Sequence, residues 1–95
     1  MLDPLLHSQL RLAVISILVN VEEADFVYLK EKTEATAGNL SVQLDKLSSA
    51  GYISVEKGFV GKKTRTLCRI TTAGRRAFEE YVDALRDYIG NPSSK

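Results

Sequence analysis

The sequence predicts an α+β fold: three helices, then a two-stranded β-hairpin, then a closing C-terminal helix. Three observations point to it. Residues 36–51, TAGNLSVQLDKLSSAG, set Leu40, Leu44 and Leu47 on one face at helical spacing, between a capping threonine and a glycine stop. Residues 52–71 hold two alternating runs around a glycine-bracketed turn, the pattern of an antiparallel hairpin. The stretch 36–76 carries eight bases and two acids, a local balance of +6, and the rest of the chain carries five bases and ten acids, −5, so a net charge of +1 conceals a strongly basic middle.

The first element begins at Asp3 and Pro4, which read as the N-cap and first position of a helix over residues 4–20. Leu6, Leu10, Ala13, Val14, Ile17, Leu18 and Val21 make one apolar face of it. Leu5, Leu12, Ile15 and Val19 make a second. A helix that is apolar on nearly all sides has to be covered on nearly all sides. The 95 residues are enough for one domain spanning 1–95, with little core to spare. The second face is therefore expected either against another subunit or beneath the remaining helices of the same chain.

An acidic break over residues 22–25 follows, and Asp25 caps a short helix over 26–32, with Phe26, Val27 and Leu29 turned inward. Residues 33–36, TEAT, form a tight connection to the helix that starts at Thr36, so the two make a helix-turn-helix unit. Gly38, Asn39, Val42, Gln43 and Lys46 fall away from the leucine stripe. After Gly51, residues 52–57 form a strand with Ile53 and Val55 to one side, residues 58–63 (GFVGKK) a turn, and residues 64–71 (TRTLCRIT) the second strand. A further short strand near residues 24–25 would complete a three-stranded sheet. Alternation with Leu67 and Arg69 makes Cys68 a small buried side chain.

Thr71 and Thr72 offer the cap of a final helix over 72–89, ended by Gly90-Asn91-Pro92 with a frayed SSK tail. Along it Phe78, Val82, Leu85 and Ile89 are spaced four, three, four, and Tyr81 and Tyr88 widen the stripe. That spacing suits a helix lying along another helix, in the same chain or in a second copy. The helices over 4–20 and 72–89 are thus the candidate dimer contacts.

Helices, a tight turn and a basic hairpin in this order form a winged helix-turn-helix. A recognition helix offers its N-terminal half to base edges in the major groove. Asn39 and Gln43 lie four residues apart on one side of that half, and each amide carries the donor and acceptor that pair with adenine; outside this setting they would read as solvated surface amides. Val42 suits a thymine methyl, and Gly38 lets the backbone come close. Thr36 and Ser41 suit phosphates or backbone caps, and Lys46 a phosphate. On the hairpin, Lys62, Lys63, Thr64 and Arg65 are placed for the flanking backbone or the minor groove, with a steep loss of affinity in salt. The competing reading is a charge run that keeps an edge strand from pairing. Arg69, Arg75 and Arg76 are better suited to pairing with acids such as Glu79.

The run Leu44-x-x-Leu47-x-x-Ala50-Gly51-Tyr52-Ile53, a basic hairpin, then Thr71-x-x-Gly74 opening a helix, resembles the winged-helix transcriptional regulators of the MarR and ArsR type. It looks closest to the small stand-alone winged-helix DNA-binding domain proteins of bacteria and archaea, over about residues 8–89. The resemblance implies a homodimeric, sequence-specific binder of double-stranded DNA acting in transcription, with dimer contacts from the first and last helices. The chain departs from the ArsR metal sensors in lacking their Cys-x-Cys motif, and it has Val42 and Gln43 where their pattern often has Arg and His. Its flanking helices are shorter than those that frame a MarR ligand pocket, which leaves the small-molecule effector unknown.

The residues offer no catalytic constellation. His7 stands alone, Ser16, Ser41, Ser48 and Ser49 lack a base nearby in sequence, and one Cys with one His makes neither an internal disulfide nor a zinc site. A redox role for Cys68 is disfavoured by burial. The apolar run over 12–19, broken by Ser16, is too short to span a bilayer, and the N-terminus lacks the marks of a signal peptide. The expectation is a cytoplasmic, non-enzymatic protein without cofactor or metal. Its rival is a winged helix that docks onto another protein, because the recognition face carries a single base, Lys46.

Overall fold

A computed structural model describes residues 2–90. The elements run α1 (Gln9–Leu18), β1 (Ala24–Asp25), α2 (Phe26–Thr33), α3 (Ala37–Ser49), β2 (Ile53–Val60), β3 (Lys63–Ile70) and α4 (Thr72–Tyr88). This is the predicted winged-helix order with the third strand included. β1 pairs antiparallel with β3, Ala24 opposite Cys68 and Asp25 opposite Leu67, and the sheet order is β1-β3-β2.

Three helix starts follow from their caps. The side chains of Asp25, Thr36 and Thr71 accept from the backbone N–H groups of Tyr28, Asn39 and Gly74, each three residues on. The first helix corrects the expectation. Asp3 does cap, its Oδ1 accepting from the Leu5 N–H at 2.9 Å, but the turn it caps stops before Ser8. Ser8 is extended, at φ −146°, and recaps α1 by accepting from the Arg11 N–H at 3.4 Å. α2 closes on Glu34 at φ +57°, a left-handed residue that is not glycine.

The core joins Leu6, Val14, Ile15 and Leu18 to Leu29 of α2, to Leu40, Leu44 and Leu47 of α3, to Ile53 and Cys68 of the sheet, and to Ala77 and Tyr81 of α4. Ile15 is the second correction. It belongs to the core and not to an outer face, because α1 is packed by α2, α3, α4 and β3 together. Leu5, Leu12 and Val19 are half-buried. Val27 is 61% exposed: at about 100° per residue, a helix that turns Phe26 toward the core turns the next side chain outward.

The hairpin is longer than its glycines suggest. The ladder runs from Ile53 opposite Ile70 to Val60 opposite Lys63, with Gly58 inside it opposite Arg65. The turn shrinks to Gly61 and Lys62, and Gly61 takes φ +63°, as tight two-residue hairpin loops require. Thr71 lies outside the strand as the cap of α4. Eight residues at about 3.4 Å each carry the tip about 24 Å from Ile53. The Cα radius of gyration is 14.7 Å, whereas a compact domain of this length has about 12 Å. The excess reflects this hairpin and the end of α4, where Phe59, Val60, Tyr88 and Ile89 are all exposed.

Tyr52 ties the end of α3 to the N-terminal turn and to the start of α4. Its hydroxyl donates to Asp3 Oδ2 at 2.5 Å, and its carbonyl accepts from the Thr71 N–H at 3.1 Å. The hydrogen bond to Asp3, with burial and the nearby Asp3 and Glu80 charges, pushes the phenol up to about 12. Gly74, in the first turn of α4, lies against the same carbonyl: a Cβ there would sit 2.0 Å from the Tyr52 oxygen. α4 ends at Tyr88, and Gly90 takes φ +88°; Asn91, Pro92 and the SSK tail lie outside the described residues.

Candidate nucleic-acid interface

Leu40, Leu44 and Leu47 anchor α3, and their burial fixes which side faces solvent. Gly38, Val42 and Lys46 lie opposite them and are exposed, Val42 by 49%. Thr36 is committed as a cap, its Oγ1 accepting from the Asn39 N–H at 3.2 Å. Ser41 is exposed on the flank nearer the hairpin, and with Asp45, Lys57 and Thr66 it lines a groove floored by Phe26, Leu44 and Val55.

Asn39 and Gln43 take the other flank. Asn39 is exposed and Gln43 half-buried, and the Gln43 Nε2 donates to Asn39 Oδ1 at 3.0 Å. A residue outside the predicted interface joins them: Arg11 of α1 donates through Nη1 to the Gln43 Oε1 and through Nε to the Leu5 carbonyl at 2.6 Å. Nothing in the local sequence signals Arg11, since it is 32 positions from Gln43 and meets it only through the packing of α1 on α3.

On the hairpin, Lys62 occupies the turn and Lys63, Thr64 and Arg65 open β3, all exposed. Arg65 differs from the lysines: its Nε lies 3.6 Å from Asp25 Oδ2, so part of its charge is spent on the cap of α2. Arg69 bridges Glu23 at 2.6 Å and Glu56 at 2.9 Å, which raises its pKa further, chiefly through the hydrogen bond to Glu56 and then that to Glu23. Arg75 donates to the Val19 carbonyl at 3.3 Å. Neither arginine takes Glu79 as its partner in these contacts.

Of the candidate dimer contacts, Tyr88 and Ile89 are 79% and 75% exposed, and Phe78, Val82 and Leu85 are half-buried. On α4, Tyr81 is the exception. It is 5% exposed, and its hydroxyl lies 3.1 Å from His7 Nδ1, so the chain's own N-terminal turn covers it. Cys68 is fully buried in the sheet, and burial, with the nearby Asp25 charge, pushes its thiol up to about 11. Among the described residues no group of three or more His, Cys, Asp or Glu side chains is placed to hold a metal ion, and no helix is long and apolar enough to cross a membrane.

Comparison with known proteins bears on the fold and the family. The profile of a family described as winged helix DNA-binding domain matches residues 10–89. A protein of Methanocaldococcus jannaschii, described as uncharacterized, is 36% identical over 76 residues, covering 80% of this chain and 83% of its own. A solved transcriptional regulator homologue from Pyrococcus horikoshii OT3 superposes with a TM-score of 0.82 at 24% identity, covering 90% of this chain and 84% of its own. Bacillus subtilis PadR, solved in complex with operator DNA, superposes with a TM-score of 0.70 at 17% identity, covering 79% of this chain and 47% of its own. At those identities the two solved structures share the fold with this chain.

Proposed function

The chain belongs to the winged helix DNA-binding domain family, and on that footing we propose that it is a homodimeric, sequence-specific regulator of transcription, a cytoplasmic binding protein and not an enzyme, with residues 1–95 acting as one domain. The observation that carries the reading is the pairing of an unobstructed helix face with a projecting basic hairpin. Gly38, Val42 and Lys46 face outward on α3, and Lys62 and Lys63 stand at the far end of a ladder eight residues long. α3 enters the major groove, and the hairpin tracks the flanking phosphates or minor groove. Ser41, Thr64 and the half-paired Arg65 add backbone contacts.

Dimerisation uses the apolar surface that the chain leaves uncovered. Tyr88, Ile89, Val82 and Leu85 of α4 join Leu5 and Leu12 of the N-terminal part in contacting a second copy, with Phe78 and Val19 at the margin. A two-fold axis through that contact sets two α3 helices on half-sites about one helical turn, roughly 10 bp, apart. Mass in solution, alone and with selected duplex, reads the stoichiometry directly.

The decisive experiment is duplex binding of wild type and a Lys62→Ala/Lys63→Ala variant across a salt series. Each lost phosphate contact makes the log affinity against log salt shallower by about 0.9, so the double variant loses about two units of slope per subunit at unchanged melting temperature. An unaltered slope would remove the hairpin from the interface. Absence of duplex retention at low salt, together with salt-insensitive capture of a protein partner, would favour the docking module instead.

A further inference from the structure

We propose that Phe59 is a wedge: with α3 in the major groove, its ring enters the adjacent minor groove, parts one base step there and kinks the duplex. The inference rests on the DNA-binding reading above and deepens it, because a hairpin that only tracks phosphates needs no aromatic side chain. Phe59 is 76% exposed, although it lies inside the β2–β3 ladder, opposite Thr64. Side chains alternate between the faces of a β-ribbon, and directly paired residues share a face. Val55, Lys57 and Thr66 line the groove beside Ser41 and Asp45 of α3. Phe59 is two residues beyond Lys57, and its partner Thr64 is two before Thr66. The ring therefore stands on the hairpin face that is turned toward α3. Val60, opposite Lys63, takes the reverse face.

The chemistry around the ring decides its occupant. Residues 57–65 hold Lys57, Lys62, Lys63 and Arg65 and no acid. A second copy seated on this tip would bring the same lysines together, and like charges oppose such a contact. A duplex satisfies both parts of the tip at once: its phosphates take the lysines, and an opened base step takes an apolar side chain. The reach is also right. Phe59 lies six residues along β2 from Ile53, about 20 Å, and the minor groove next to a major-groove contact is half a helical turn away, about 17 Å. Parting a step costs least at the flexible pyrimidine–purine steps TA and CA/TG. The wedge thus adds a preference for deformable sequence in the flank of each half-site, independent of any hydrogen bond to a base.

Energy transfer across an end-labelled duplex, selected from a randomised pool and bound by the full chain, tests this. Wild type should bend the duplex by about 20–90°, the range of an inserted apolar wedge. Phe59→Ala should melt at the wild-type temperature, because the ring is exposed, yet leave the duplex straighter and bind it about tenfold more weakly, as loss of one base–aromatic contact would. Its salt slope should match wild type, since no phosphate contact is lost. Phe59→Leu, also apolar and able to wedge, should keep most of the bend. In a duplex with 2-aminopurine at the flanking step, about 5 bp from the centre of the α3 contact, fluorescence should rise with wild type and not with Phe59→Ala. A straight wild-type complex, or a bend that Phe59→Ala leaves intact, overturns the proposal while the DNA-binding reading stands. So does a Phe59→Ala variant that loses capture of a protein partner and bends the duplex as before. Failure of the wild type to retain any duplex overturns both.

Discussion

Gly38 and Gly74 both lie in helices, and alanine should act on them in opposite directions. At Gly74 a Cβ would lie 2.0 Å from the Tyr52 carbonyl oxygen, 2.9 Å from its carbon and 3.1 Å from Ile70 Cγ1. Two of those three atoms are backbone, at the junction of α3 and β2, and cannot rotate aside. The start of α4 would have to retreat by more than 1 Å, straining the 3.1 Å bond from the Thr71 N–H to the same oxygen. Overpacking of this kind costs about 1–3 kcal/mol, and the hydrogen bond about 1 more. Alanine's higher helix propensity returns about 1 kcal/mol. The expected net loss for Gly74→Ala is about 2 kcal/mol, a fall in Tm of about 8–16 °C for a domain of this size. At Gly38 nothing lies within 4 Å of the added Cβ, so Gly38→Ala should gain about 0.5 kcal/mol. Urea and thermal unfolding followed by circular dichroism read both. A Gly74→Ala variant as stable as wild type would refute the close approach of α4 to Tyr52. Gly38→Ala carries a second readout: duplex affinity should drop in a protein that has become more stable, if the backbone there approaches the groove.

Two further perturbations test other parts of the fold. The Tyr52 phenol ionises near 10.0 when unfolded and at about 12 when folded, so its share of stability is present below pH 10 and is lost as pH rises through 12; between pH 9 and 12, wild type should lose more stability in urea than Tyr52→Phe does, and parallel losses would sever the link to Asp3. Glu34 closes α2 at φ +57°, a conformation that costs a side-chain-bearing residue about 1–2 kcal/mol, partly offset by the chain entropy of glycine; Glu34→Gly should therefore raise stability by about 0.5–1 kcal/mol in the same unfolding assay, and a loss would mean that the Glu34 side chain contributes something its backbone geometry does not reveal.

Much of the candidate interface was legible in the chain. Thr36, the leucines at 40, 44 and 47 and the stop at Gly51 define α3 by local rules, and those rules also decide that Gly38, Val42 and Lys46 face outward. The errors arose where a local signal was real but its extent was not local. Asp3 caps a turn, yet Ser8 starts the helix. The glycines at 58 and 61 look alike in sequence, and only the pairing of Gly58 with Arg65 leaves the turn to Gly61. Ile15 and Tyr81 sit in apolar stripes that fit a subunit contact as well as a core; packing of α1 on α2, α3, α4 and β3 resolves Ile15 into the core, and the N-terminal turn at His7 covers Tyr81.

The sequence by itself determined the element order, the caps of α2, α3 and α4, the leucine anchor of the recognition helix and the concentration of positive charge around the hairpin, because each depends on residues within a few positions of one another. Only the tertiary structure decided which apolar face remains uncovered, that Gly74 has no room for a side chain, and that Arg11 reaches across to the Gln43 amide. Those outcomes depend on how helices cross and where strands stop, and such geometry emerges from packing the whole core at once.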